Sequence, residues 1–170
     1  MSRVVYVNGS YVPEEQGKIW IFDRGCLFAD GIYEGTAVVR SKLVDYDSHM
    51  ERLERSLREI RLDWPCSKEE LKAMHLDMVK RNSLDEGWIY MQITRGSADR
   101  DFKFPKGVKP TLIAFTQDKK LVDNPDAIRG VSVITLPTIT SARRDITAAM
   151  LLAPRLAQPQ PPVPAPFAPL

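Results

Sequence analysis

The sequence predicts an α+β fold: a mostly antiparallel sheet with two helices forms a small N-terminal domain, and a further strand opens a second domain. Three observations carry this. Short β-prone runs joined by tight turns fill the first part of the chain. The apolar spacing then becomes helical through Arg81, and two more β-prone runs follow. A chain of 170 residues holds one domain, or one and a fraction, and 44% apolar residues are enough for a core.

Val4 to Val7 reads as a strand, Asn8-Gly9 as a hairpin turn, and Tyr11-Val12 as the return strand. Lys18 to Phe22 is a third apolar run, expected as a strand. Gly25 and Gly31 are expected to supply backbone angles closed to other residues, so that Asp23 to Gly31 can turn tightly. Ile32 to Val39 and Lys42 to Val44 form a strand pair turning at Arg40-Ser41. Ser48 and Glu51 read as a capping box, with Met50, Leu53, Leu57 and Ile60 at helical spacing behind it. Pro65 separates a second helix, capped by Ser67 and Glu70 and carrying Leu71, Met74 and Met78. Trp88 to Arg95 and Thr111 to Thr116 are paired strands around a long loop, Gly96 to Pro105. The expected domains are 1–118 (small α+β), 119–130 (linker), 131–150 (the start of a second domain, opening with a strand at Val131 to Leu136) and 151–170 (a tail). Seven of the thirteen prolines lie between Pro154 and Pro169, so the tail is expected to be extended or disordered.

Three residues stand out chemically. Tyr33 leaves the Asp23–Glu34 stretch at a strand start, where a phenol can donate a hydrogen bond or line a pocket. Arg52 sits beside the apolar stripe of the first helix, where a guanidinium can face a phosphate; the plainer reading is a surface arginine paired with an acid. Arg100 stands in the long loop and suits a carboxylate, though locally a pair with Asp99 or Asp101 is the simpler expectation. His49 and His75 do not have the spacing of a ligand pair, and no metal site is expected.

Asp23-Arg24-Gly25, Phe28-Ala29-Asp30-Gly31-Ile32-Tyr33-Glu34, His49-Met50-Glu51-Arg52-Leu53 and Thr94-Arg95-Gly96 occur in an order that resembles the class IV (fold type IV) aminotransferases, most nearly those acting on D-amino acids. The resemblance runs from about residue 3 to 146. It implies amino-group transfer between D-amino acids and 2-oxo acids through pyridoxal 5'-phosphate. It also implies that Arg52 binds the cofactor phosphate, and that Tyr33 and Arg100 bind the substrate carboxylate. The family's histidine beside that arginine is Phe102 here, which puts the substrate preference in doubt. The family's catalytic lysine follows a pattern like Arg143-Arg144-Asp145-Ile146, in a larger second domain of which residues 131–150 are then the truncated start, and the lysine's position is Thr147 here. No lysine follows Lys120. Threonine has no amine to bond the cofactor, so this chain is expected to be inactive alone and not to hold the cofactor covalently. The turn to Ala, Pro and Gln after Asp145 resembles a shifted reading frame or a truncated gene.

Two alternatives stay open: a relative of the branched-chain aminotransferases or aminodeoxychorismate lyases, and a non-catalytic dimerisation module, since the resemblance implies dimers and admits a homodimer. A net charge of +2 gives no reason to expect a nucleic-acid partner. With no apolar leader, no membrane-length apolar run and two unpaired cysteines, a cytoplasmic protein is expected.

Overall fold

A computed structural model of the chain describes residues 2–130. Thr147, the expected strand at Val131 to Leu136, the second-domain start and the tail lie outside the described residues. The elements are β1 (Val4–Val7), β2 (Ser10–Pro13), α1 (Arg24–Phe28), β3 (Gly31–Val39), β4 (Lys42–Leu43), α2 (Tyr46–Glu59), α3 (Lys68–Arg81), β5 (Glu86–Thr94), β6 (Thr111–Asp118) and α4 (Pro125–Arg129). The strands form one six-stranded sheet in the order β2-β1-β6-β5-β3-β4, every adjacent pair antiparallel. The fold is the expected α+β class. The short α4 falls within the expected linker.

Alternation along the strands decides which face is covered. Ile32, Val38, Ile89, Met91, Ile93, Leu112 and Ala114 are buried on one face, in one cluster with Met50, Leu53, Leu57, Leu71, Met74 and Met78 of α2 and α3. The opposite face carries Tyr33, Tyr90 and Phe115, only partly covered. Tyr33 stacks on Tyr90 with ring centroids 5.7 Å apart, and Tyr90 on Phe115 at 4.9 Å. Burial, and after it the Tyr33 phenol, raises the Tyr90 pKa.

Several local expectations hold. Asn8 and Gly9 both take positive φ, 47° and 95°, in the two-residue turn between Val7 and Ser10. Ser67 and Glu70 complete a capping box, each side chain bonding the other's backbone N–H at 3.1 and 2.8 Å.

Others are corrected. Lys18 to Phe22 is not a strand; Trp20 and Ile21 are 76% and 78% exposed, and an apolar run alone does not supply a pairing partner. Ser48 does not cap α2, which begins two residues earlier behind Asp45, so Ser48 lies inside the first turn. Gly25 and Gly31 are not needed for positive φ; the left-handed residue in that turn is Ala29, φ 53°. Both glycines are required by proximity instead. A Cβ on Gly25 would stand 2.4 Å from Thr94 Cγ2, and one on Gly31 2.7 Å from the Ile93 carbonyl oxygen.

Candidate active site

Glu34 follows Tyr33 on β3, so strand alternation turns the two to opposite faces. The Glu34 carboxylate therefore enters the buried side, among Ile32, Thr36 and Val38, and is only 1% exposed. A carboxylate so placed needs a charged partner. Arg52, on the facing helix α2, supplies it with a two-pronged bond. Nε donates to Oε1 at 2.8 Å and Nη2 donates to Oε2 at 2.6 Å. These bonds hold the Arg52 pKa above its ordinary value, against partial desolvation, and the Tyr33 phenol is near enough to add to that field. The Arg52 side chain remains 44% exposed. One edge of its guanidinium is occupied by Glu34, and Nη1 has no hydrogen-bond partner among the described residues.

His49, one helical turn before Arg52, completes the cluster. Its Nδ1 is 3.0 Å from Glu34 Oε2 and 3.3 Å from Arg52 Nη2. A carboxylate only accepts and a guanidinium only donates, so one Nδ1 cannot bond both. The shorter distance favours an Nδ1–H donating to Glu34.

Arg100 is placed elsewhere. It does not pair with Asp99 or Asp101; its guanidinium stands 5.3 Å from the ring centroids of both Phe28 and Phe102, a cation–π arrangement. A second network anchors its loop. Asp30 accepts from Arg24 Nε at 2.7 Å and from Arg95 Nε and Nη2 at 2.8 and 3.0 Å. Arg24 also donates to the Asp101 carbonyl at 2.8 Å, next to Arg100 in sequence. Arg95 reaches the Ile60 and Arg61 carbonyls beyond the end of α2 at 2.7 and 2.9 Å. Burial raises the Asp30 pKa, but the bonds from Arg95 and Arg24 outweigh it and hold the carboxyl below its usual range.

The structure thus pairs Arg52 with Glu34 on the buried face of β3, leaves Tyr33 on the opposite face with its phenol within reach of the Arg52 charge, and sets Arg100 on the separately anchored loop. Sequence reasoning missed Glu34, His49 and the Arg24–Asp30–Arg95 clamp. The signal for Glu34 was its parity with Ile32 and Val38, which puts an acid on the buried face. A surface trough of about 470 Å³ lies between β1, β6 and the Glu14–Ile19 segment, lined by Val5, Val7, Ile113 and Phe115. It includes none of these candidate residues. Among the described residues no cluster of histidine, cysteine and acids suits a metal ion, and no helix is long and apolar enough to cross a membrane.

A partly exposed arginine fixed by a buried acid, and a second arginine on an anchored loop, are groups that can face anions. The family model for class IV amino-transferases matches residues 31–151, and the chain belongs to that family. It is 41% identical over 157 residues to the D-alanine aminotransferase of Staphylococcus epidermidis, covering 91% of this chain and 55% of that one. It spans about half the length of the curated relatives it matches. The fold is shared with the Escherichia coli branched-chain amino acid aminotransferase, at TM-score 0.67 and 21% identity over 75% of this chain and 43% of that one. It is also shared with the branched-chain aminotransferase of the archaeon Thermoproteus uzoniensis, solved with norvaline, at TM-score 0.62 and 24% identity over 69% of this chain and 41% of that one. The family depends on pyridoxal phosphate.

Arg52 suits the phosphate of that cofactor, because its exposed donors are fixed in orientation by an acid that cannot itself reach solvent.

Proposed function

We propose that this chain is the N-terminal part of a D-amino acid aminotransferase, carrying the phosphate contact and the substrate-carboxylate contacts. The observation behind this reading is the 41% identity with a D-alanine aminotransferase, spread over 91% of the chain. Pyridoxal phosphate, when bound, supplies the electron sink for bond breaking at the amino acid's α-carbon. Arg52 binds its phosphate through the guanidinium edge that Glu34 leaves open. Tyr33 offers a phenolic donor, and Arg100 a planar pair of N–H groups, to the carboxylate of a D-amino acid or a 2-oxo acid. Phe102, where the family has a histidine, supports the Arg100 guanidinium with its ring and does not bond the carboxylate.

Thr147 stands at the lysine position, so these 170 residues bind the cofactor non-covalently and do not transfer amino groups by themselves. The test is the purified protein mixed with pyridoxal phosphate. Binding is followed by fluorescence, then borohydride and mass spectrometry look for a stoichiometric adduct at one residue. Reversible binding that Arg52→Ala weakens at least tenfold, with no such adduct, is expected. A borohydride-fixed adduct at a single site, or turnover of D-alanine with 2-oxoglutarate, defeats the reading.

A second reading, a pairing module, is favoured by the exposed run Ile19-Trp20-Ile21-Phe22. Size exclusion with light scattering decides it: a clean monomer argues against pairing.

A further inference from the structure

Glu34 cancels the charge of Arg52. With a neutral imidazole the Glu34–His49–Arg52 cluster sums to zero, yet a phosphate monoester near neutral pH carries up to two negative charges. A neutral cluster offers such an anion hydrogen bonds and little net attraction. One further positive charge strengthens that attraction, and His49 is the group placed to supply it.

The titratable or charged groups facing His49 among the described residues are Glu34 from β3, Arg52 from its own helix and His75 from α3. Glu34 is already bonded by Arg52 through both oxygens. Arg52 carries its full charge in any case. His75 is fully buried with its Nε2 unpartnered, so it cannot reach a ligand. His49 alone remains adjustable. Its Nδ1 faces Glu34, its ring is 20% exposed, and its Nε2 has no partner among the described residues. A proton arriving at Nε2 turns the ring into a second cation, its Nδ1 3.3 Å from Arg52 Nη2.

We propose that His49 is the second cation of this phosphate site, and that a phosphate monoester binds there together with a proton taken up by His49. The proposal rests on the reading that Arg52 receives the cofactor phosphate, and it adds a control: affinity for the phosphorylated ligand rises as the solution becomes more acid. Glu34 is a positioning residue here. It holds Arg52 in place and receives the His49 Nδ1–H, so that the incoming proton must go to Nε2.

The experiment uses the 170-residue protein and two probes, pyridoxal phosphate and unphosphorylated pyridoxal. Calorimetry at pH 7.5, in two buffers of different ionisation heat, counts protons taken up on binding. At that pH the free phosphate monoester is mostly dianionic, its second pKa being about 6, so the ligand phosphate contributes few protons. NMR of the imidazole nitrogens follows His49 in the unaltered protein. The expected result is uptake approaching one proton for pyridoxal phosphate. Most of that uptake is absent for pyridoxal and for His49→Gln, whose affinity for the phosphorylated probe falls at least fivefold. The His49 nitrogen shifts move to those of an imidazolium when pyridoxal phosphate is added. Binding with equal affinity in His49→Gln and unmoved nitrogen shifts overturns the role of His49 and leaves the Arg52 contact standing. No pyridoxal phosphate binding by the unaltered protein from pH 5.5 to 8 overturns the Arg52 reading and this one with it.

Discussion

His75 makes the stability of this fold sensitive to mild acid. The ring is fully buried in α3 and packs edge-on against Tyr46, centroids 5.2 Å apart. Its Nδ1 is 2.8 Å from the Leu71 carbonyl oxygen, while Nε2 has no partner among the described residues. Desolvation pulls its pKa down to about 4, more than the Leu71 contact restores, and the nearby His49 lowers it further. In the unfolded chain the same ring titrates near 6.5. Between these values the unfolded chain holds a proton that the folded protein refuses. The associated stability is fully present above pH 6.5 and is lost as pH falls toward 4. At pH 4.5 the gap covers about two pH units, or about 3 kcal/mol at roughly 1.4 kcal/mol per unit. That is a large part of a typical domain's total stability of about 5–15 kcal/mol. His75→Leu keeps an apolar side chain of similar bulk and removes the titration. Urea unfolding at pH 7.5 and 4.5 is the assay. The unaltered protein should lose about 3 kcal/mol more than His75→Leu between the two pH values. Equal losses in the two proteins would refute the reasoning, because the ring would then titrate alike folded and unfolded.

Three further outcomes follow from the site. Asp30→Asn leaves the buried guanidiniums of Arg24 and Arg95 without their shared anion and should cost about 3–5 kcal/mol; a loss under about 1 kcal/mol in urea unfolding would contradict the clamp. Gly25→Ala should destabilise by about 1–3 kcal/mol through its contact with the Thr94 methyl group. Thr94→Ser, which removes that methyl and keeps the hydroxyl bonded to Asp23 at 3.0 Å, should recover much of the loss in a double-mutant cycle, and strictly additive effects would exclude the clash. Glu34→Gln keeps the shape but removes the charge that Arg52 and His49 share, and should lower stability by about 1–2 kcal/mol at pH 7.5. Unchanged urea unfolding would show that the charged bonds to Arg52 add nothing to stability.

Much of the fold was legible because it depends on neighbours in sequence. The Asn8-Gly9 turn, the alternation of β3 and the Ser67–Glu70 cap are set by local chemistry, and each appears where the residues place it. The failures are of another kind. Whether Lys18 to Phe22 pairs with another strand depends on which edge lies beside it, and periodicity within the run does not show that. The tight fit at Gly25 is a contact with Thr94, 69 positions away, and local sequence showed only that glycine is permissive. Among the candidate residues, Arg52 and Tyr33 were found through a motif. Glu34 lay inside the same motif but was passed over, although its place on the buried face of β3 was readable from alternation alone. The clamp joins Arg24 and Asp30 to Arg95, 65 positions beyond Asp30, and no spacing rule announces it.

The Arg24 guanidinium grips the long loop at the Asp101 carbonyl oxygen, a backbone atom that nearly every amino acid presents in the same way. Such an anchor does not depend on the side chains it carries. Changing the side chain of a flanking residue such as Phe102 leaves that carbonyl in place. The side chains of the loop can therefore vary while its tether to the framework stays the same.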